Sequence, residues 1–78
     1  MNSYGLVARL SNDQDALERI VMHAFGLPPV FRRVFLLCDI QGFRVAEAAA
    51  ILGIGPAAVE ERLDRARPEL NVRLAAAS

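Results

Sequence analysis

The chain has 78 residues, of which 54% are hydrophobic, and its nine arginines balance nine acidic residues without any lysine. This length allows one domain at most, and the single cysteine, Cys38, excludes an internal disulfide. Packing must therefore hold the fold, and a net charge of zero argues mildly against strong sequence-independent binding to nucleic acid.

The sequence offers no arrangement suited to catalysis or metal binding. One cysteine and one histidine, His23, cannot supply the four ligands of a structural zinc site, and there is no glycine-rich phosphate loop. We therefore expect no enzyme activity, no catalytic residue, no metal and no cofactor. No stretch approaches the roughly 20 consecutive apolar residues of a membrane span, and the N-terminus does not resemble a signal peptide. These features predict a cytoplasmic protein without membrane contact.

The chain is predicted to begin with a short lead-in, residues 1–12, followed by one domain over residues 13–78. A first helix is expected from about Asp13 to Phe25, because apolar residues recur there at helical spacing. Ser11 or Asn12 is suited to cap its start.

A second helix is predicted to start at Pro29, a residue suited to the first helical position, and to end at Gln41-Gly42. Arg32, Arg33 and Asp39 are expected to mark its polar side. Its apolar residues form a broad face that predicts a heavily buried helix: Val30, Phe31, Val34, Phe35, Leu37 and Cys38.

A pair of helices is predicted next, one over about Arg44 to Leu52 and one that begins at Pro56 after a tight turn at residues 53–55. Pro68 is expected to interrupt the fourth helix, because proline has no N–H to donate and clashes with the preceding turn. A last short helix would then cover about Glu69 to Ala76. The buried stripe of the fourth helix is predicted to comprise Val59, Leu63 and Ala66. The sequence thus indicates an all-α domain of four to five helices.

Three residues in this pair have the spacing of a helix-turn-helix. Ala49 is small where the second helix would cross the first, Gly53 tolerates a positive φ at the turn, and Val59 supplies an apolar anchor. In the DNA-binding helix-turn-helix, the second helix enters the major groove. An ordinary helical hairpin without a nucleic-acid role has the same spacing, so the three positions leave both interpretations open.

The wider sequence resembles a known family over residues 27–70. The motifs that carry the resemblance are LPP at 27–29, RVFLL at 33–37, DIQGF at 39–43, AxILGI at 49–54 and VxxRLxRARxxL at 59–70. They occur in order and without gaps. In these motifs the chain resembles region 4 of bacterial RNA polymerase sigma factors, particularly the extracytoplasmic-function type.

The resemblance implies a function in transcription initiation. Region 4 of that family docks its recognition helix on the −35 promoter element and contacts the polymerase core at the tip of the β-subunit flap. Arg62 would sit beside the groove, facing the DNA backbone. Carried over by position, the groove-facing residues are Ala57, Ala58, Glu60, Glu61, Asp64 and Arg65.

Two departures from the family pattern shape the prediction. The chain has no counterpart of region 2, so we do not expect a complete sigma factor, but a free-standing region 4-like protein or a fragment of a larger one. The family usually has basic or small polar residues at the positions of Glu60 and Glu61, and rarely an acid at Asp64. Carboxylates repel phosphates, although a carboxylate can accept a hydrogen bond from cytosine N4.

Two functions therefore stay open at this point. The first is a DNA-binding transcription module that recognises promoter DNA, favoured by the family motifs and by Arg62, Arg65 and Arg67. The second is a protein-interaction module whose DNA surface is neutralised, and which binds the polymerase flap, an anti-sigma protein or a second copy of itself. A simpler interpretation of these acids is a solvated helix face, on which Glu61 and Arg65 would form an i, i+4 pair.

Overall fold

A computed structural model of the chain describes residues 14–77, and over these residues the fold is all-α, as predicted. The predicted lead-in over residues 1–12 and the predicted cap at Ser11 or Asn12 lie outside the described residues. The helices are α1 (Gln14–Ala24), α2 (Pro29–Phe35), which continues as a π-helical turn (Leu36–Ile40), α3 (Val45–Leu52) and α4 (Pro56–Ala77).

The connection between α1 and α2 is tied by hydrogen bonds from both sides. The N–H groups of Gly26 and Leu27 donate to the last turn of α1, each at 3.0 Å. Arg32, which was predicted to lie on the polar side of α2, donates from Nη1 to the carbonyl oxygen of Phe25 at 3.1 Å. Because the last carbonyls of a helix have no partner within it, this contact fixes α2 against the end of α1.

The prediction that Asp39 lies on the polar side of α2 is wrong, because its side chain is only 2% exposed. The reason is the π-helical turn, in which the N–H of Gln41 donates to the carbonyl oxygen of Leu36 at 3.0 Å. Each residue of a π-turn advances by a smaller angle than in an α-helix, since five residues rather than four separate donor and acceptor. The turn therefore rotates Asp39 towards the core.

The prediction that Pro68 interrupts the last helix is also wrong, because α4 runs without a break over 22 residues. A proline inside a helix costs about 3 kcal/mol. Ala66 and Leu70, on either side of it, are both buried, and burial of one leucine side chain contributes about 1.5–3 kcal/mol. Packing on both sides of Pro68 thus offsets its cost, and the separate helix predicted over Glu69 to Ala76 is the second half of α4.

Two hydrophobic clusters make up the core. The helix-turn-helix cluster comprises Val34, Cys38, Ala48, Ala49, Val59 and Leu63. The α1 cluster comprises Ile20, Ala24, Leu27, Phe35, Ala66 and Leu70. The neighbouring residues Val34 and Phe35 face different clusters, so α2 is packed on two sides. α4 likewise contributes its first half to one cluster and its second half to the other.

The predicted buried stripe of α4 is confirmed, since Val59, Leu63 and Ala66 are all buried. The predicted buried apolar face of α2 is confirmed over most of its length but is wrong at Val30, which is 48% exposed. Val30 lies in the first turn of α2, where the chain has only just left the loop that follows α1. Within residues 14–77, none of the helices combines the length and the apolarity that crossing a bilayer requires.

Candidate nucleic-acid interface

The turn between α3 and α4 is built on a left-handed glycine. Gly53 has φ 70° and ψ 33°, and its N–H donates to the carbonyl oxygen of Ala49. The N–H of Ile54 donates to the same oxygen at 3.1 Å. A left-handed residue just after a helix is the usual way of satisfying its last carbonyls. Three residues, 53–55, thus separate the end of α3 from the start of α4.

The start of α4 is held close to the end of α3 by packing. Ala49 is 4% exposed and Val59 is fully buried in the same cluster, with Leu52 and Ile54 packed around them. The N–H groups of Ala58 and Val59 donate to the carbonyl oxygen of Gly55 at 3.1 and 3.2 Å. The structure thus brings together the three residues whose spacing suggested a helix-turn-helix.

The side of α4 opposite this cluster faces outward over its first three turns. Among the residues predicted to face the groove, Ala58 and the flanking Arg62 are half-buried. The others are exposed: Ala57, Glu60, Glu61, Asp64 and Arg65. They lie between the buried positions Val59, Leu63 and Ala66, so they form one continuous outward face. We call this surface the α4 outer face.

Four of the charges on the α4 outer face fall into two stripes, and the fifth, Glu61, lies between them, four residues before Arg65. Glu60 and Asp64 share one stripe with Ala57, three and seven residues after it. Arg62 and Arg65 share the other stripe with Ala58, at i, i+4 and i+7. Within residues 14–77 no ion pair joins Glu61 to Arg65, so the predicted i, i+4 pair is not formed.

Arg67 does not contribute to the α4 outer face. Its Nε and Nη2 donate to the two carboxylate oxygens of Asp39 at 2.9 and 3.0 Å. The side chain of Arg67 is 33% exposed and that of Asp39 only 2% exposed. The hydrogen bonds to Asp39 raise the pKa of the Arg67 guanidinium further above its usual range. The outer face is therefore left with two arginines against three carboxylates.

Cys38 lies beside this ion pair and belongs to the core, as predicted. It is 6% exposed, and burial, together with the neighbouring Asp39 charge, raises the pKa of its thiol. Within the described residues, no group of three histidine, cysteine or acidic side chains is placed to hold a metal ion. His23 is half-buried at the end of α1.

Within residues 14–77, two of the surface cavities adjoin the α4 outer face. The larger, about 440 Å³, lies between Phe31 and α4. The smaller, about 90 Å³, lies where α2, α3 and α4 meet. Its lining comprises Pro29, Val30, Arg33, Leu52 and Arg62.

Comparison with known proteins settles the family. The family model described as sigma-70, region 4, matches residues 26–70, which is more than half of the chain. The chain belongs to the sigma-70 region 4 family. The resemblance noted in the sequence is confirmed, and the match covers α2, α3 and most of α4, with the α4 outer face inside it.

A curated relative gives the same assignment. The chain is 42% identical over 50 residues to the ECF RNA polymerase sigma factor SigE of Mycolicibacterium smegmatis, an alignment that covers 64% of this chain and 20% of the relative. The chain thus spans about a fifth of the length of that protein. No solved structure matches the chain. This sigma-70 region 4 domain is accordingly a helix-turn-helix of the DNA-binding class.

Sequence reasoning missed the Asp39–Arg67 contact, which decides which charges reach the α4 outer face. Arg67 was grouped with Arg62 and Arg65 as a candidate for DNA contact. The signal that was present is the position of the two residues: Asp39 follows the buried Cys38, and Arg67 follows the buried Ala66. The π-turn that completes the contact has no signature in the residue pattern.

Proposed function

We propose that this region 4 domain recognises the −35 element of a promoter by placing the α4 outer face in the major groove. Base edges would be contacted by Ala57, Ala58, Glu60, Glu61, Asp64 and Arg65, and the DNA backbone by Arg62. The domain would act in the cytoplasm together with RNA polymerase, with the tip of the β-subunit flap as its contact on the enzyme.

The observation that carries the proposal is the packing of α4 against α3, which buries one side of the first turns of α4 and leaves the other side exposed. Val59 is fully buried while Ala57, Glu60 and Glu61 are exposed, so the first turns of α4 present one side to solvent. A helix presented in this way fits the width of the major groove. Membership of the sigma-70 region 4 family supports the same use of the helix.

A titration of the protein with −35-type duplex, followed by NMR, tests this proposal. We expect shifts concentrated in Pro56 to Arg67, and an affinity that falls steeply with salt because phosphates are neutralised. Arg65→Gln should weaken binding, whereas Arg19→Gln on α1, which removes the same charge from an exposed site elsewhere, should not. Absence of any shift at low salt would rule the proposal out.

A second candidate function is favoured by the ion pair of Arg67 with Asp39, which removes Arg67 from the α4 outer face. With two arginines against three carboxylates, the α4 outer face has a negative balance, which suits a basic or apolar protein partner better than phosphates. Exposed apolar side chains at Val30 and Ile51, 48% and 55% exposed, would add contact area. Under this proposal the domain binds the polymerase flap, an anti-sigma protein or a second copy of itself.

Two measurements test the second candidate. Sedimentation equilibrium reports self-association, and titration with a purified β-flap fragment reports polymerase contact. Val30→Ser and Ile51→Ser should weaken whichever association is found. A monomeric mass together with no binding to the flap or to a purified anti-sigma protein would eliminate this candidate.

A further inference from the structure

The small cavity between α2, α3 and α4 has an unusual distribution of charge. Two of its lining residues, Arg33 and Arg62, are arginines, and Pro29, Val30 and Leu52 supply the apolar remainder. No acidic residue lines it. Within residues 14–77 neither arginine takes part in an ion pair. Two like charges thus share one cavity without compensation from the protein.

Like charges repel each other, and an anion held between them removes that repulsion. Guanidinium groups have fixed donor forks that match the oxygens of a phosphate, and their charge does not depend on pH. The cavity is small, about 90 Å³, and a single tetrahedral group at its mouth would meet both arginines.

The position of the cavity identifies which anion it meets. Arg62 belongs to the stripe of α4 that also carries Ala58 and Arg65, and Arg33 approaches this stripe from α2. A helix in the major groove has a phosphate backbone on each flank. The other flank of α4 carries Glu60 and Asp64, and Glu61 lies between the two flanks. The flank beside α2, with Arg33, Arg62 and Arg65, is therefore the one with an excess of positive charge.

From these observations we infer that Arg33 and Arg62 form a joint anion subsite that holds one backbone phosphate of the bound DNA. The inference rests on the proposed DNA-binding function and extends it to a residue outside the helix-turn-helix. It also adds a positive charge from a neighbouring helix, Arg33, to the flank of α4 that carries Arg62. Binding would accordingly be anchored on one strand of the duplex.

Salt dependence of DNA binding tests the subsite. Wild type, Arg33→Gln, Arg62→Gln, the double variant and the control Arg19→Gln are each titrated with a −35-type duplex and with a scrambled duplex of equal length. Each phosphate contact contributes about 0.9 to the slope of log K against log salt. We expect the double variant to lose about 0.9 of slope, with equal losses of affinity on both duplexes, since phosphate contacts carry no sequence information. Arg19→Gln should match wild type.

A scan with single neutral methylphosphonate linkages locates the phosphate. At one linkage, the methylphosphonate should weaken DNA binding by the wild type but leave the affinity of the double variant unchanged. Arg33→Lys with Arg62→Lys should retain the slope, because the charges persist, and should lose part of the affinity. Thermal melts of all variants establish that they are folded.

The outcomes separate this inference from the function on which it rests. If wild type binds neither duplex at low salt, the proposed DNA-binding function fails and the subsite fails with it. If wild type binds but the double variant has the same slope and affinity, only the subsite is overturned. If the double variant binds DNA normally but loses binding to the β-flap fragment, the arginines serve acidic groups of a protein, and the phosphate subsite is likewise overturned.

Discussion

Arg67 donates two parallel hydrogen bonds to the carboxylate of Asp39, from Nε to Oδ2 at 2.9 Å and from Nη2 to Oδ1 at 3.0 Å. This contact joins the middle of α4 to the π-turn after α2. Removing one member of a buried pair leaves an unpaired charge, which usually costs about 3–5 kcal/mol. For Arg67→Met we expect a loss near the lower limit, roughly 3 kcal/mol, since the guanidinium is partly exposed. Urea denaturation measures it.

The matched control is Arg65→Met, which removes an exposed arginine from the same helix and should change stability by less than about 0.5 kcal/mol. Adding Asp39→Leu to Arg67→Met should recover much of the loss, because no charge is then left in the core. Equal stability of the two single variants would show that the ion pair contributes nothing.

The turn glycines offer a second test. Gly53 has φ 70° and Gly55 does not have a positive φ, and an added Cβ would have no atom within 4 Å at either position. Gly53→Ala should therefore destabilise the domain by about 1–2 kcal/mol through backbone strain alone, while Gly55→Ala should be neutral or slightly stabilising. The midpoints of thermal unfolding compare them. A similar loss in both variants would contradict this assignment of the strain.

These residues also mark how far the sequence could predict the structure. Gly53, Pro29 and Pro56 are local signals, because each is favoured by backbone geometry that its neighbours do not alter, and the turn and the two helix starts followed from them. Pro68 and Asp39 misled the prediction because tertiary packing decided their surroundings. The exposed residues of α4 could be named in advance, but the loss of Arg67 from the outer face depended on a partner 28 positions away in the chain.

Pro68 provides a test of that tertiary override. If packing on either side holds α4 together against the proline, then Pro68→Ala should relieve most of its helix cost of about 3 kcal/mol. Part of the gain is lost because alanine makes the unfolded chain more flexible, by about 0.4–1 kcal/mol. We expect a net stabilisation of roughly 2 kcal/mol, seen as a higher Tm.

Pro29→Ala is the control for this substitution. Pro29 occupies the first turn of α2, where proline is suited to the geometry, so its replacement should not stabilise the domain. An unchanged or lower Tm for Pro68→Ala would mean that the helix accommodates the proline without strain.

Removal of a carboxylate from the α4 outer face is expected to increase the affinity for DNA. Glu60→Gln removes a charge that repels phosphate, and we expect a gain of about 0.5–1 kcal/mol at low salt, equally on −35-type and scrambled duplexes. Added salt should reduce the gain. Glu18→Gln on α1, also exposed, should have little effect. Fluorescence anisotropy suffices for the comparison.

The opposite result would assign Glu60 a reading function. A carboxylate that accepts a hydrogen bond from cytosine N4 contributes about 1–3 kcal/mol of discrimination. In that case Glu60→Gln would weaken binding only to duplexes that have cytosine at the base pair that Glu60 contacts.

Cys38 predicts how stability depends on pH in the alkaline range. Burial raises the pKa of its thiol above the ordinary value of 9.0, so the folded state keeps a proton that the unfolded chain releases. The free energy of unfolding should be undiminished below pH 9 and should fall as the pH rises from there towards the folded-state pKa. Urea denaturation between pH 8 and 10.5 measures the decline.

Cys38→Ala is the comparison for that series, and its curve should be flatter in the alkaline range whatever its stability at neutral pH. Iodoacetamide should also modify the native thiol far more slowly than the denatured one, since the thiolate is the reactive form. Parallel curves for the two proteins would show that the thiol titrates alike in both states.

At about 1.5 Å per residue, the 22 residues of α4 extend roughly 33 Å, close to the 35 Å longest dimension of the described chain. One rod therefore passes through both halves of the interior. Unfolding of either hydrophobic cluster would remove packing from α4 and so destabilise the other cluster. Denaturation should therefore occur as a single cooperative transition, despite the two separate clusters. Leu70, near the other end of the same helix, packs against α1. The orientation of the first turns of α4 towards a binding partner therefore depends on the packing of Leu70 as well.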